Sequence, residues 1–230
     1  MKSPALPVLG GIRALIRLFL PEQCPGCHSR VAQSGLCPRC DLEIAELLAE
    51  PTRFLAGELP GIAAGPYSGR WRQVVLSFKK DPIPALREIV HERLWTALGE
   101  GGDRRARVVV PVPMAKVRRR ERGWNPPEVL AERLAARAAW PLAPRLLERV
   151  RYGGTLASSG KEERARRLAG AIRLRPEWEE ELGREAEGWP VLALLVDDVV
   201  TTGATLSACQ EALFEAGFYD VLCLTLARTG

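Results

Sequence analysis

Two stretches of this chain carry residue types that do chemistry rather than only pack. Cys24-Pro-Gly-Cys27 and Cys37-Pro-Arg-Cys40 are two C-x-x-C pairs with nine residues between them. Two thiolates three residues apart around a turn containing Gly or Pro can face one ion, and a second such pair completes the tetrahedral all-sulfur shell that structural zinc prefers. A closed shell of four sulfurs leaves no position for water, so the expected role of Cys24, Cys27, Cys37 and Cys40 is structural. Redox chemistry needs only one pair and is the weaker alternative. His28 is surplus as a ligand when four thiolates are at hand.

The second stretch reads LLVDDVVTTGATL at 194–206. An apolar run ends in Asp197 and Asp198, and strand carboxyl ends in parallel sheets are where ligands dock. Two consecutive acids there can accept hydrogen bonds from vicinal hydroxyls. Thr201, Thr202, Gly203, Ala204 and Thr205 then open a helix, whose first N–H groups and dipole favour a phosphate. The threonine hydroxyls add donors, and Gly203 permits a positive φ and a close approach. Thr and Gly also suit the plain N-capping of a helix after a strand.

A third constellation, read as a basic loop, follows Pro111-Val-Pro113: Lys116, Arg118, Arg119, Arg120 and Arg122, then Gly-Trp124-Asn125. Five cations in seven residues can form a solvated basic face. At the carboxyl end of a neighbouring strand they can also reach a pyrophosphate held over the acid pair.

The elements that must position these residues alternate. Apolar residues at Trp71, Val74, Val75 and Phe78 predict a helix ending at Lys79-Lys80, and Leu86, Ile89, Val90, Leu94, Ala97 and Leu98 predict the next. The runs at 108–112 and 191–196 read as strands buried on both faces. Helices are expected over 127–140, where prolines sit in the first turn, around 162–172, and over 205–216 with Gly217 as the stop. A final strand is expected over 221–227. This alternation predicts an α/β fold with a mainly parallel sheet flanked by helices. An amphipathic helix at 8–20 (Ile12, Leu15, Ile16, Phe19), the cysteines and a stretch at 41–50 form a small module over 1–50, ended by Pro51. The main domain occupies 51–230, and 177–187 reads as an acidic exposed connection.

Hydrophobic residues make up 47% and charged residues 27% of the 230, which fits a globular protein able to bury a core without disulfides. The net charge of +5 suits polyanions, whether small phosphorylated ligands or nucleic acid. No run reaches the about 18 uninterrupted apolar residues of a membrane span, and 8–20 is broken by Arg13 and Arg17. The expected location is cytoplasmic. Cys209 and Cys223, far from the cluster, read as small buried hydrophobes.

The string at 194–206 resembles the phosphoribosyl pyrophosphate signature of type I phosphoribosyltransferases at every position. With the four-cysteine module, Tyr67-Ser-Gly69 followed by a helix and Lys79-Lys80, the V-P-V-P ending at Pro113, and the R-G-W-N of Arg122 to Asn125, the chain from about Ile16 to Arg228 resembles the ComF family. These are phosphoribosyltransferase-like proteins with a zinc module, linked to natural competence and the uptake of single-stranded DNA. The resemblance implies a type I phosphoribosyltransferase-like fold. It implies that Asp197 and Asp198 hold the ribose hydroxyls, with Mg²⁺ bridging these hydroxyls and pyrophosphate. Thr201, Thr202, Gly203, Ala204 and Thr205 would hold the 5-phosphate. Lys116, with Arg118 and Arg122, would offset the leaving-group charge, and Asn125 belongs to the same substrate-binding set. One departure concerns the acceptor side: where the family shows an Arg-Thr-x-x-Gln element and an Arg/Asn-rich helix, this chain has Arg151, Thr155, Ser158, Arg164 and Leu168. Two functions follow, a Mg²⁺-dependent phosphoribosyltransferase or a component of DNA uptake that binds single-stranded DNA or a helicase. For the second, Trp71, Phe78 and Trp124 offer stacking surfaces, although they fit helix packing as well.

Overall fold

A computed structural model describes residues 22–100, 107–150, 171–178 and 192–230. The helix expected at 8–20 and the positions Arg151, Thr155, Ser158, Arg164 and Leu168 lie outside the described residues. So do nearly all of the basic helix at 162–172 and the acidic connection at 177–187.

Seven strands and six helices run in the order α1 (Pro38–Leu47), β1 (Thr52–Ala56), β2 (Leu59–Pro66), α2 (Gly69–Lys80), α3 (Pro84–Glu100), β3 (Val108–Pro111), α4 (Lys116–Arg122), α5 (Pro126–Ala138), β4 (Leu147–Arg149), β5 (Ile172–Leu174), β6 (Leu192–Val200), α6 (Ala204–Glu215) and β7 (Asp220–Arg228) among the described residues. The main sheet has the order β1-β2-β7-β6-β3. Strands β2, β7, β6 and β3 are parallel, and β1 pairs antiparallel with β2 at the edge. The mostly parallel α/β sheet that the alternation predicted is therefore present.

Side chains of a strand alternate between faces, and β6 shows the result. Leu194 and Val196 enter one core with Ile44 of α1, Trp71 and Phe78 of α2, Leu94 of α3 and Leu130 of α5. Ala193 and Leu195 enter the opposite core with Leu206, Cys209 and Leu213 of α6, and with Leu147 and Ile172 of the β4–β5 pair. Because both faces of the sheet are covered, the run is apolar at every position rather than alternating. Cys209 and Cys223 are both buried and unpaired, as their apolar settings predicted.

The structure differs from the sequence reading in four places. The β1–β2 hairpin carried no strand signal because β2 is rich in Ala and Gly, yet packing demands small residues there. A Cβ built on Gly61 would stand 2.2 Å from the Phe54 ring. Strand β6 runs four residues past 196 because β7 pairs with it as far as Val200↔Arg228, so Asp197 and Asp198 lie within the strand. The basic stretch after β3 is not a loop but the short helix α4, closed by Gly123 at φ 81°. Ile172, expected to end a helix, instead begins β5, which pairs with β4 through Arg149↔Ile172.

Candidate metal centre and anion cleft

The four cysteine sulfurs all lie within 4.8 Å of one another. A small hairpin builds the first half: the Cys24 N–H donates to Ser29 O at 2.9 Å and the His28 N–H to Cys24 O at 2.8 Å. His28 takes a left-handed φ of 61° to close the turn. Gly26 lies close under the cluster, since a Cβ there would come within 3.1 Å of Cys40 Sγ, a tight contact. The second half opens α1: Cys37 is its N-cap, Pro38 occupies N1, and Cys40 follows in the first turn. The positive end of a helix stabilises thiolate there.

Hydrogen bonds from the Ser29 side chain and backbone pull the Cys27 thiol down to about 6, and a backbone hydrogen bond lowers Cys37. Cys40, buried among the others, is pushed up. Sulfurs Cys27 and Cys37 approach to 3.7 Å without forming a disulfide. The cluster has the donor set, the spacing and the thiolate character to hold a metal ion. It docks on the main sheet through Ile44 and Leu48, which join the first core, and through the Ser77 hydroxyl of α2, which donates to Pro25 O at 3.2 Å.

The acid pair is built from farther apart. Asp198 receives an ion pair from Lys79 Nζ at 2.9 Å, so α2 delivers a cation to the end of β6. Asp197 accepts the Asp198 N–H at 2.8 Å. The residue keeps a partial opening to solvent, but protein atoms crowd its carboxyl. Burial, reinforced by the neighbouring Asp198 charge, raises its pKa to about 8, against the opposing pull of Lys79 and Arg149. Asp197 also lies near Cys209 on α6, whose thiol is driven upward mainly by burial and further by that carboxylate.

Past the acids, Thr201 and Thr202 are exposed and Gly203 is buried. Gly203 is the N-cap of α6 at φ 78° and has no side chain to cap the helix. That leaves the first-turn N–H groups open to an anion, apart from a 3.5 Å bond from the Ala204 N–H to Thr202 Oγ1. A Cβ on Gly203 would stand 2.6 Å from the Ala56 Cβ, so the loop is pressed against the end of β1. The Ser207 hydroxyl donates to Ala56 O at 3.1 Å and holds that contact.

A cleft of about 240 Å³ brings Asp197, Asp198, Lys79, Thr205, Arg118 and Arg122 together with Asn125 and Arg149. Buried Asn125 donates to Val112 O at 3.3 Å, while its Oδ1 has no partner among the described residues. A buried acceptor left open suits a donor from a ligand. Thr201, Thr202, Gly203 and Ala204 sit beside this cleft in sequence but do not line it. Lys116 does not line it either. Positions i and i+4 of a helix share a face, so Arg118 and Arg122 point to the acid pair, whereas Lys116 and Arg119 line a separate cleft.

Sequence reasoning passed over Lys79 as a site residue, and also Arg149, Ala56 and Ser207. Only the Lys79-Lys80 pair at a helix end carried a signal. The stacking surfaces suggested for Trp71, Phe78 and Trp124 are corrected. Trp71 and Phe78 are fully buried, the Trp71 indole N–H donates to Leu226 O at 2.8 Å, and Trp124 packs edge-on against Phe78 at 5.2 Å. Hydrophobic packing claimed these rings. Among the described residues no helix is long and apolar enough to cross a membrane.

No family model matches the chain. It is 28% identical over 226 residues to the DNA utilization protein YhgH of Salmonella typhimurium, covering 90% of each chain. It is 28% identical over 120 residues to competence protein F of Haemophilus influenzae, covering 52% of this chain and 49% of that one. With competence protein ComFC of Bacillus subtilis the identity is 34% over 123 residues, 53% of this chain and 45% of the relative. The chain thus spans about half the length of these two competence proteins. A crystal structure of orotate phosphoribosyltransferase from Aeropyrum pernix aligns over 82% of this chain and 91% of its own, with 14% identity and a TM-score of 0.35.

Proposed function

Taking as premise that the chain belongs to the ComF family, we propose that it binds phosphoribosyl pyrophosphate or a related 5-phosphoribose in the Asp197–Asp198 cleft and acts in the handling of incoming DNA. The observation that carries the reading is the convergence on one cleft of an acid pair, Thr205 in the first turn of α6 and the cations Lys79, Arg118 and Arg122, with the uncapped start of that helix next to it in sequence. These are the complements of a sugar's hydroxyls, its 5-phosphate and its pyrophosphate. The link to DNA rests on the printed names of the relatives, competence protein and DNA utilization protein.

In this reading Asp197 and Asp198 accept hydrogen bonds from the two ribose hydroxyls. The N–H groups opening α6, with Thr201, Thr202 and Thr205, take the 5-phosphate. Arg118 and Arg122 face the pyrophosphate, a role that passes to them from Lys116 because α4 turns Lys116 away. Mg²⁺, when bound with the ligand, neutralises the pyrophosphate and favours the ionised form of Asp197. The donor chemistry fits it: Lys79 is ion-paired with Asp198, and the neighbouring Asp197 is the carboxylate that would take a further cation. The four-cysteine centre is assigned to structural zinc, on the strength of its all-sulfur donor set.

Were transfer to occur, the bond from ribose C1 to the pyrophosphate oxygen would break with its electron pair leaving on pyrophosphate, and an acceptor nitrogen would bond to C1. No protein nucleophile is needed, so the chain's part is positioning and electrostatic stabilisation. Calorimetric titration with phosphoribosyl pyrophosphate and Mg²⁺ tests the proposal. Binding that disappears in Asp197→Asn/Asp198→Asn supports it; no heat with the native chain overturns it. A second reading, direct binding of single-stranded DNA, is favoured by one observation, the exposed run Arg118, Arg119, Arg120 and Arg122. It expects DNA affinity that falls steeply with salt and survives the acid-pair substitutions.

A further inference from the structure

The larger cleft beside the acid pair, about 480 Å³, is not used by that reading. It shares Pro113, Met114 and Arg149 with the acid-pair cleft, so a molecule in one lies next to a molecule in the other. Its wall is strongly cationic: Lys116, Arg119, Arg145, Arg149 and Arg175 face Glu128, Glu132 and Glu148. Two of the acids are already matched. Glu128 takes Arg119, and Glu148 takes Arg173 at 2.7 Å from outside the cleft. Among the described residues the surplus therefore falls on Lys116, Arg145, Arg149 and Arg175, with Glu132 alone of the cleft's acids against them.

Arg175 adds an independent sign. Its backbone N–H is satisfied by Leu146 O at 3.0 Å, while its Nε is buried and has no partner among the described residues. A guanidinium N–H kept from both water and protein acceptors is costly, and an oxygen anion in the cleft relieves that cost. Guanidiniums also present paired donors matched to the oxygens of one phosphate. The cations converge on one cavity instead of tracking along a groove, which suits a compact anionic group more than an extended polymer.

We infer that this second cleft is the acceptor side of the site and takes a small molecule bearing a phosphomonoester, held by Arg145 and Arg175 with Lys116. The acceptor role rests on the proposed sugar-phosphate reading of the neighbouring cleft. A phosphorylated acceptor also explains why the wall of this cleft is charged rather than apolar, since a free base would be stacked and packed. The leaving pyrophosphate is not the occupant, because Arg118, Arg122 and Lys79 face the first cleft.

Phenyl phosphate serves as the probe, titrated calorimetrically into the full chain before and after saturation with phosphoribosyl pyrophosphate and Mg²⁺. One equivalent is expected to bind with the first cleft filled. Arg145→Ala/Arg175→Ala should weaken it by tenfold or more and leave phosphoribosyl pyrophosphate affinity within a factor of two. Arg145→Glu, at an exposed position where folding is untouched, should weaken it likewise, and Arg145→Lys should recover part of the loss. Benzoate should bind at least fivefold more weakly. Phenyl phosphate that fails to bind the native chain, that binds the arginine variants equally, or that is matched by benzoate overturns the inference. If phosphoribosyl pyrophosphate itself does not bind, the reading of the first cleft falls and the acceptor role with it; the titration of the ligand-free chain still decides whether the phosphate subsite exists.

Discussion

The four-sulfur centre and the acid-pair cleft are assembled over very different lengths of chain. All four sulfurs come from residues 24–40, and two short turns and one helix start bring them together. The cleft draws Lys79 from α2, Arg118 and Arg122 from α4, Arg149 from β4 and the acids from β6, and it exists only when the sheet has formed. A local site can be lost without its neighbours, whereas an assembled one fails whenever any contributor moves. Helix α2 touches both: Ser77 meets Pro25 of the first hairpin, and two residues on, Lys79 meets Asp198.

The largest expected effect tests that separation. Plasma emission spectrometry is expected to find about one zinc per chain in the native protein, and Cys40→Ser should remove it and expose the amides of α1 to hydrogen exchange. Ligand affinity in the cleft should change less than threefold. A tenfold fall would mean that the two regions behave as one unit through α2. Next in size is Gly203→Val. It meets both a left-handed φ and the Ala56 Cβ at 2.6 Å, so phosphoribosyl pyrophosphate affinity should drop about 100-fold, or about 2.7 kcal/mol. A variant that binds normally would show that the loop does not depend on its seat against β1. Lys79→Ala comes third. It strips Asp198 of its ion pair and should cost about tenfold in affinity, close to 1.4 kcal/mol, read by the same calorimetry.

The same contrast explains what was legible beforehand. The cysteines, the acid pair and the threonine loop were readable because each is contiguous or nearly so, and chemistry fixes their spacing. The strands at 108–112 and 191–196 were readable because burial on both faces leaves an unbroken apolar run. The β1–β2 hairpin was not, since Gly61 is selected by the Phe54 ring across the hairpin and carries no strand propensity. Lys79 looked like the ordinary basic end of a helix, and only the meeting of the end of α2 with Asp198 near the end of β6 gives it a partner. The division of α4 between two clefts was invisible while the segment was read as a loop: without a helical period there is no reason for Lys116 and Arg118 to face apart. Nothing in the composition separated an aromatic that stacks from one that packs, and Trp71 and Phe78 proved to be core.

The smallest expected effect concerns stability, and here the cleft should oppose its own fold. Asp197 titrates near 8, well above the usual carboxylate range, because burial and the adjacent Asp198 disfavour its charge. Between its ordinary pKa and that value, the folded chain holds a proton that the unfolded chain has released. Stability therefore falls as pH rises from about 4 to about 8, and it is recovered as pH is lowered through that window. Asp197→Asn removes the titration. At pH 8 it should raise the unfolding free energy by about 1–2 kcal/mol, scaled down for the residue's partial contact with solvent. For a chain of this size that is about 2–8 °C in Tm, with little gain at pH 4. The substitution should at the same time abolish sugar-phosphate binding, the combination expected of a carboxylate kept for a ligand and not for the fold. Melting curves across pH 4–8 decide it: an Asn variant that tracks the native chain at every pH would place the Asp197 carboxyl in water-like surroundings and remove the electrostatic reason for a cation in the cleft.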